Sequence, residues 1–437
     1  MNSCMSSAKK LGQIVQEKEY EQGRKSAARE ILTGVRDWRG KYVEIAKRRW
    51  IWELIQNGVD CGTREQREVK IDVNLENGKL TFEHNGGPFL AEELSALILG
   101  GSTKPFAPES PYAGKFGIGF LVTHILSLTV LVEGTAKTEN GERAFRLRLD
   151  RSGNNVEEIL GNIKDCYKDL DQDIEEQVSN TKYTYDLEDE KVETFIIPLN
   201  DLKHLLPYAM LFNERLKSVH VKSKEFESSW ELQDRTRDSM TDDEHLLSVS
   251  IKYAEKLSEN TNFRTQMVEV IGIQKNDIIS AMTVLNDGGE GRCVLSNDDV
   301  PKIFAPYPLI GGTEKIGIPL IICGAFEPSK DRDTVLLGEK EDGGVMNRQK
   351  IRVALELIPK LLEYTVTAKL KDVHRLARIG NTSGVPLEYQ QWWDNNLHDI
   401  VLRLMDLEIV ETSDGYKKPT DEKLWFLVPL LNFNSDV

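Results

Sequence analysis

Residues 52–60 read Trp52-Glu53-Leu54-Ile55-Gln56-Asn57-Gly58-Val59-Asp60, which sets Glu53, Asn57 and Asp60 at i, i+4 and i+7. On a helix these three fall within roughly 60° of one another, on one face. Ala46 and Trp50 point the same way, so the face is expected to be buried. Buried carboxylates are costly unless they meet a cation, a partner or a substrate. A purely structural core helix would carry Leu or Val there. The pattern therefore asks for a ligand; the plain alternative is a surface face with a capping Asp near its end.

Two glycine-containing segments follow. Phe82-Glu83-His84-Asn85-Gly86-Gly87-Pro88-Phe89 breaks an apolar run with a turn. Gly114-Lys115-Phe116-Gly117-Ile118-Gly119-Phe120 opens an apolar stretch, Phe120 to Leu128, that the pattern predicts as a helix. Glycines let backbone approach phosphate, and a helix start offers free N–H groups. GxxGxG alone is a weak signal. Its place after a carboxylate–amide helix and a glycine turn makes the order specific.

That order resembles the GHKL (Bergerat-fold) ATPases, the superfamily of the ninety-kilodalton heat-shock chaperone, MutL, type II topoisomerases and histidine kinases. Glu53 to Asn57 is similar to the first motif, His84-Asn85-Gly86 to the second and Gly114 to Gly119 to the third. The sacsin N-terminal-like group is closer still, through Glu-Leu-Ile-Gln-Asn, Gly100-Gly101-Ser102-Thr103-Lys104 and Gly117-Ile118-Gly119-Phe120-Leu121. Leu309-Ile310-Gly311 and Phe326 to Asp333 look like that group's second domain.

The resemblance implies ATP and magnesium as ligands. Glu53 would be the general base that activates water, and Asn57 would hold the magnesium ion on the phosphates. Gly114, Gly117 and Gly119, with Phe116, Ile118 and Phe120 between and after them, would cradle phosphate. Lys104 and Lys115, with Ser102 and Thr103, would add charge and hydrogen bonds. Thr194, expected on a strand Thr194–Leu199, would help hold adenine through water. Arg332 would reach the γ-phosphate from the following domain. His84 stands where the family carries an Asp that accepts from the adenine amino group. A neutral His can accept through its unprotonated nitrogen; Asp60 is the alternative, and Gly86 belongs to the same turn.

At 437 residues the chain is long enough for two or three cores. Its 40% hydrophobic and 29% charged residues are those of a globular, water-soluble protein. Five scattered cysteines without a CxxC pair argue against a disulfide framework or a zinc module. With no signal pattern and no apolar run of spanning length, the cytoplasm is expected and a membrane is not. The net charge of −15 lacks the basic footprint of a nucleic-acid binder. Lys47-Arg48-Arg49 is the densest basic cluster, expected to solvate the outside of the motif helix.

The fold class expected is α+β. A two-layer Bergerat sandwich, a mixed sheet with helices on one face, takes residues 1–200. An α/β transducer-like middle domain takes 201–375 and a small helical C-terminal region 376–437. Helices are predicted over 8–35 (a strap or dimer element), 41–61, 91–99 and 347–370. Strands are predicted at 69–73, 80–82, 128–132, 144–149, 247–253, 267–273 and 318–323. Residues 100–112 read as an ATP lid, and 200–246 as helix followed by a charged connector, Lys222 to Glu244. Trp392-Trp393 and Trp425-Phe426-Leu427 suggest that further chain or a partner covers the tail.

Three function classes fit. One is an ATP-hydrolysing conformational switch, working as a homodimer or in a hetero-complex with an effector such as a nuclease. It would serve as the ATPase arm of a prokaryotic anti-phage system or as a chaperone-like clamp. The second is a weakly hydrolysing nucleotide-binding scaffold. The third is a DNA-processing ATPase of the MutL or topoisomerase type, against which the acidic balance counts. A histidine kinase is disfavoured because the first histidine is His84, leaving no phosphoacceptor ahead of the domain.

Overall fold

A computed structural model describes residues 11–101, 119–174, 178–187, 192–257, 262–287, 289–329, 331–340, 342–378 and 380–422. Ser102, Thr103, Lys104, Gly114, Lys115, Phe116, Gly117 and Ile118 lie outside them, as do most of the expected lid and Trp425 to Leu427. The chain divides into two compact units, one of residues 1–234, 249–267 and 305–310, the other of 235–248, 268–304 and 311–437.

The first unit is a two-layer α+β structure. Helices α1 (Leu11–Arg39) and α2 (Val43–Arg64) lead into strands β1 (Val69–Glu76) and β2 (Lys79–His84), joined by a tight turn at Asn77-Gly78. Helix α3 (Ala91–Leu99) follows. A 3-10 turn at Gly119–Ile125 then precedes β3 (Thr129–Thr138), β4 (Gly141–Asp150), α4 (Val156–Leu170), β5 (Thr181–Asp186), α5 (Val192–Phe212) and β6 (Leu216–Lys222). The sheet order β6-β1-β2-β5-β3-β4 is mixed: β1 and β6 run parallel and the other neighbours antiparallel. Strand alternation puts Val69, Ile71 and Val73 of β1, Phe145, Leu147 and Leu149 of β4, and Tyr183 and Tyr185 of β5 in the core. Lys70, Asp72, Arg146 and Arg148 lie on the open side.

Helix α2 sits inside the helical layer, against α1, α5, β1 and the 3-10 turn. From Arg49 to Gly62 every residue but Asn57 is buried. The Lys47-Arg48-Arg49 cluster therefore does not solvate the helix exterior. Arg48 makes a fork to Asp201 of α5, Nε to Oδ2 at 2.7 Å and Nη2 to Oδ1 at 3.0 Å, and Arg49 turns inward. Acidic partners on the buried side draw both guanidiniums in, where planar bidentate pairing suits Arg.

Other expectations change as well. Thr194 to Leu199 is helix, the first part of α5, because Trp50 Nε1 donates to the Thr194 carbonyl at 3.1 Å and Phe195 is fully buried. The strand expected there is β5, earlier in the chain within an acidic stretch. Of the stretch Phe120 to Leu128, the part to Ile125 is a 3-10 turn rather than an α-helix, and its residues from Phe120 to Ile125 are all buried. The charged connector is largely strand: β7 (Phe226–Ser239) pairs antiparallel with β6 and buries Trp230 and Leu232 between charged residues, and β8 (Glu244–Leu257) follows.

In the second unit, β9 (Arg264–Lys275), β10 (Ile278–Asp287), β11 (Glu290–Val294), β12 (Ile303–Phe304) and β13 (Ile321–Cys323) supply the sheet. Helix α6 (Asp342–Thr367) covers β10, where Ser280 Oγ donates to the Ala354 carbonyl at 2.6 Å. Helix α7 (Leu387–Met405) and a hairpin of β14 (Val410–Thr412) and β15 (Gly415–Lys417) complete it. Trp393 is buried, its indole donating to the Ile316 carbonyl at 2.7 Å, and Trp392 lies under the Arg348 guanidinium at 4.8 Å. These two aromatics are thus covered by their own unit.

Asn347 of α6 is fully buried and fully used. Its amide nitrogen donates to the Glu327 carbonyl at 2.7 Å and the Leu336 carbonyl at 2.9 Å, and its oxygen accepts from the Glu327 N–H at 2.8 Å. Asn347→Ala strands three backbone groups and should cost about 2–4 kcal/mol. Urea unfolding of the full chain, followed by tryptophan fluorescence, would show the lowered midpoint.

Candidate functional site

The site grows from α2. Glu53 is 6% exposed and Arg49, one turn earlier, is 5% exposed. Arg49 donates twice to one carboxylate oxygen, Nε to Oε1 at 3.0 Å and Nη2 to Oε1 at 2.8 Å. The guanidinium stacks over the Trp38 ring of α1 at 5.2 Å. Oε2 is turned toward Gly119, where the glycine segment ends: a Cβ on Gly119 would run into the Glu53 carboxylate. The pair is therefore held from three elements, α1, α2 and the 3-10 turn.

One turn beyond Glu53, Asn57 is part-exposed and its amide makes no hydrogen bond among the described residues. It is the one opening in an otherwise buried run, placed where a side chain can meet a ligand. Asp60 is buried at 7% exposure. Tyr307 lies near it, and burial first and Asp60 second push its phenol well above the usual range.

The second-motif turn docks on the same helix. A Cβ on Gly86 would collide with the Gly58 carbonyl, and a Cβ on Gly58 would come within 3.1 Å of the His84 ring. Close approach to backbone requires glycine at 86, and Gly58, packed on the His84 ring, is a position that the sequence reading passed over. Asn85 ties the turn to β1: its Oδ1 accepts from the Lys70 N–H at 2.7 Å and its Nδ2 donates to the Glu68 carbonyl at 3.3 Å. Arg64, at the end of α2, donates to Glu65 at 2.9 Å, to Glu93 of α3 and to the Pro88 carbonyl. The turn is thus clamped at both ends.

His84 ends β2 and lies opposite Thr181 of β5 in the sheet register, both residues buried. Its Nδ1 accepts the Gly86 N–H at 3.1 Å. The unprotonated nitrogen, expected to accept from adenine, is therefore already engaged. Burial pushes the imidazole down to about 4, from an ordinary 6.5, so the ring is neutral at pH 7.

The candidate residues are gathered only in part. Glu53, Asn57, Asp60, His84, Gly86, Gly119 and Phe120 belong to the first unit, where α2, the second-motif turn and the 3-10 turn meet. Phe120 packs on Tyr183, with ring centroids 5.7 Å apart. Thr194 presents its carbonyl to Trp50 from a helix and does not stand on a central strand. Thr181 occupies that kind of position instead, and the alternation Thr181-Lys182-Tyr183-Thr184-Tyr185 was the signal for it. Arg332 belongs to the second unit, 9% exposed at φ +54° in a tight loop whose Ser329 Oγ donates to Asp333 at 2.6 Å. Among the described residues no group of three or more His, Cys, Asp or Glu could hold a metal by itself. No described helix is long and apolar enough to cross a membrane.

No protein-family model matches the chain, and no curated protein matches it. Among solved structures it is similar to the ATPase region of Saccharomyces cerevisiae topoisomerase II, with a TM-score of 0.29 and 13% identity over 46% of this chain and 57% of that one. The chain thus covers less than two thirds of that structure, and a likeness so distant decides neither fold nor activity.

The buried histidines give the first unit a pH dependence of definite sign. His84 titrates near 4 and His124, also fully buried, near 3 when folded, against 6.5 when exposed. Between these values the unfolded chain binds more protons, so stability is full above about pH 6.5 and falls as pH drops toward 4. At pH 5 each histidine should cost about 2 kcal/mol. Urea unfolding at pH 7 and pH 5 would measure the loss, and His84→Gln should remove its share of the slope.

Proposed function

We propose that the chain is an ATP-binding, ATP-hydrolysing conformational switch of the GHKL kind. The observation that carries this is the Glu53 carboxylate, buried, held at Oε1 by Arg49 and turned at Oε2 toward Gly119, with the Asn57 amide one turn away. A surface helix would not bury such a pair, and a core helix would not include it.

In this reading ATP lies between α2, the second-motif turn and the glycine segment that ends at Gly119. Glu53 accepts the proton of the attacking water. Arg49 fixes the carboxylate so that little reorganisation is needed at the moment of reaction. Asn57 offers an amide oxygen, the hard donor that suits magnesium, an ion held mainly by substrate phosphates. Magnesium, when bound, would neutralise charge on the phosphates. His84 and Thr181 stand at the base end. Hydrolysis would act as a timer for conformation rather than as metabolic chemistry. The wider role, as the ATPase part of a defence complex with an effector or as a chaperone-like clamp, rests on the motif resemblance alone.

A weakly hydrolysing scaffold draws on the same ion pair, since a guanidinium bonded twice to the base opposes its protonation. Turnover separates the readings. Wild type with magnesium and ATP should hydrolyse, and Glu53→Ala should lose about 10²–10⁴-fold in kcat while still binding ATP. Gly119→Ala should do the same, because its methyl displaces the carboxylate and misplacement by about 1 Å costs roughly 10²-fold. Binding without turnover by wild type would favour the scaffold. Failure to bind any nucleoside triphosphate would end both readings.

A further inference from the structure

We infer that His84 reads the nucleobase as a hydrogen-bond donor, through Nε2–H, and takes an acceptor on the Watson–Crick edge of a purine rather than its exocyclic amino group. The inference rests on the nucleotide-binding reading and adds the polarity of its base end. That polarity is opposite to that of a carboxylate, which can only accept when ionised.

The argument begins with the turn. The Gly86 N–H can only donate, and it meets His84 Nδ1 at 3.1 Å. Nδ1 must therefore present its lone pair. The ring is 1% exposed, so the doubly protonated form is disfavoured and the remaining hydrogen resides on Nε2. Geometry keeps it so: Gly86 cannot move away, because its backbone is pressed against the Gly58 carbonyl and Asn85 and Arg64 hold the turn on either side.

Nε2 is buried and, like Trp52 Nε1 and His124 Nε2 of the same unit, has no hydrogen-bond partner among the described residues. An orphaned buried N–H is rare and calls for an explanation. The ring lies against Gly58, the residue of α2 that follows Asn57, so the turn that carries the orphan is docked on the motif helix. An acceptor arriving with a ligand would satisfy it. Purines offer two such atoms beside each other, N1 of adenine and O6 of a 6-oxopurine. The 6-amino group of adenine is a donor and cannot serve.

Binding of base-modified triphosphates with magnesium to the full chain tests this. ATP, purine riboside triphosphate (no amino group), 1-deaza-ATP (no N1) and inosine triphosphate would be compared by calorimetry. Removal of the amino group should change affinity by less than roughly threefold, and removal of N1 should weaken it about tenfold, the worth of one hydrogen bond. Inosine triphosphate binding about tenfold more tightly than ATP would support the donor with O6 as its acceptor. A tenfold loss on removing the amino group, with 1-deaza-ATP binding like ATP, would overturn the inference. Nitrogen NMR of the His84 ring in the unliganded protein gives a second reading that needs no variant: Nε2–H is expected, and Nδ1–H would overturn the inference while leaving nucleotide binding intact. If none of the triphosphates binds although the ring is Nε2–H, the nucleotide reading itself fails and the inference with it.

Discussion

One buried ion pair on a single helix, Arg49 with Glu53, constrains everything around it. Buried pairs are seldom the most stable choice for a core, since apolar residues of similar size often do as well or better. What such a pair supplies is placement. Arg49 occupies one carboxylate oxygen with two hydrogen bonds and rests its guanidinium on Trp38. The other oxygen then has a defined direction, toward Gly119. Helix α1, which sequence alone presents as a charged strap, is thereby part of the site, because Ala28, Ile31, Val35 and Trp38 form its buried face and Trp38 carries the arginine. Removing one partner of the pair leaves the other charge uncompensated in the core, a cost that a change at its glycine neighbour avoids.

The second constraint is how closely the His84-Asn85-Gly86 turn approaches α2. A Cβ on Gly86 would collide with the Gly58 carbonyl, and a Cβ on Gly58 would press on the His84 ring. Glycine in a helix interior costs roughly 1 kcal/mol relative to alanine. Its presence at 58, between the polar positions 57 and 60, is a sacrifice of helix propensity for contact with the histidine ring. The sheet register then aligns His84 with Thr181, so strand pairing, not sequence proximity, brings these two residues together.

How far the sequence reveals this differs from element to element. The spacing of Glu53, Asn57 and Asp60 marks α2, and Asn77-Gly78 marks the β1–β2 hairpin, because each signal is local. Arg49 is not legible as a site residue: an arginine beside Lys47 and Arg48 reads as solvated surface, and only the fold turns it inward. Thr194 misleads for a related reason. Phe195-Ile196-Ile197 is a short apolar run, equally good as strand or as buried helix, and periodicity cannot separate the two. The contact that decides, Trp50 to the Thr194 carbonyl, spans 144 residues. In β7 the alternation of Trp230 and Leu232 is present but is diluted by charges on both sides. The histidine tautomer follows from the local turn, through the Gly86 N–H, while the burial of the ring follows from tertiary position.

Buried polar groups elsewhere sharpen the meaning of that tautomer. In the second unit Lys302 is 1% exposed and burial lowers it to about 8, yet its ammonium donates to the Ser296 carbonyl at 3.2 Å, the Ser296 hydroxyl and the Asn297 carbonyl at 2.8 Å. Glu244, 4% exposed, is met by Lys275 and Lys360. Asn347 has every hydrogen-bonding position filled toward the loop it holds. These groups are closed within the protein and are sufficiently explained as structure. His84 is not closed in this way: one nitrogen is committed to the turn and the other is buried without a partner among the described residues, as are Trp52 Nε1 and His124 Nε2. A ligand acceptor would satisfy that second nitrogen.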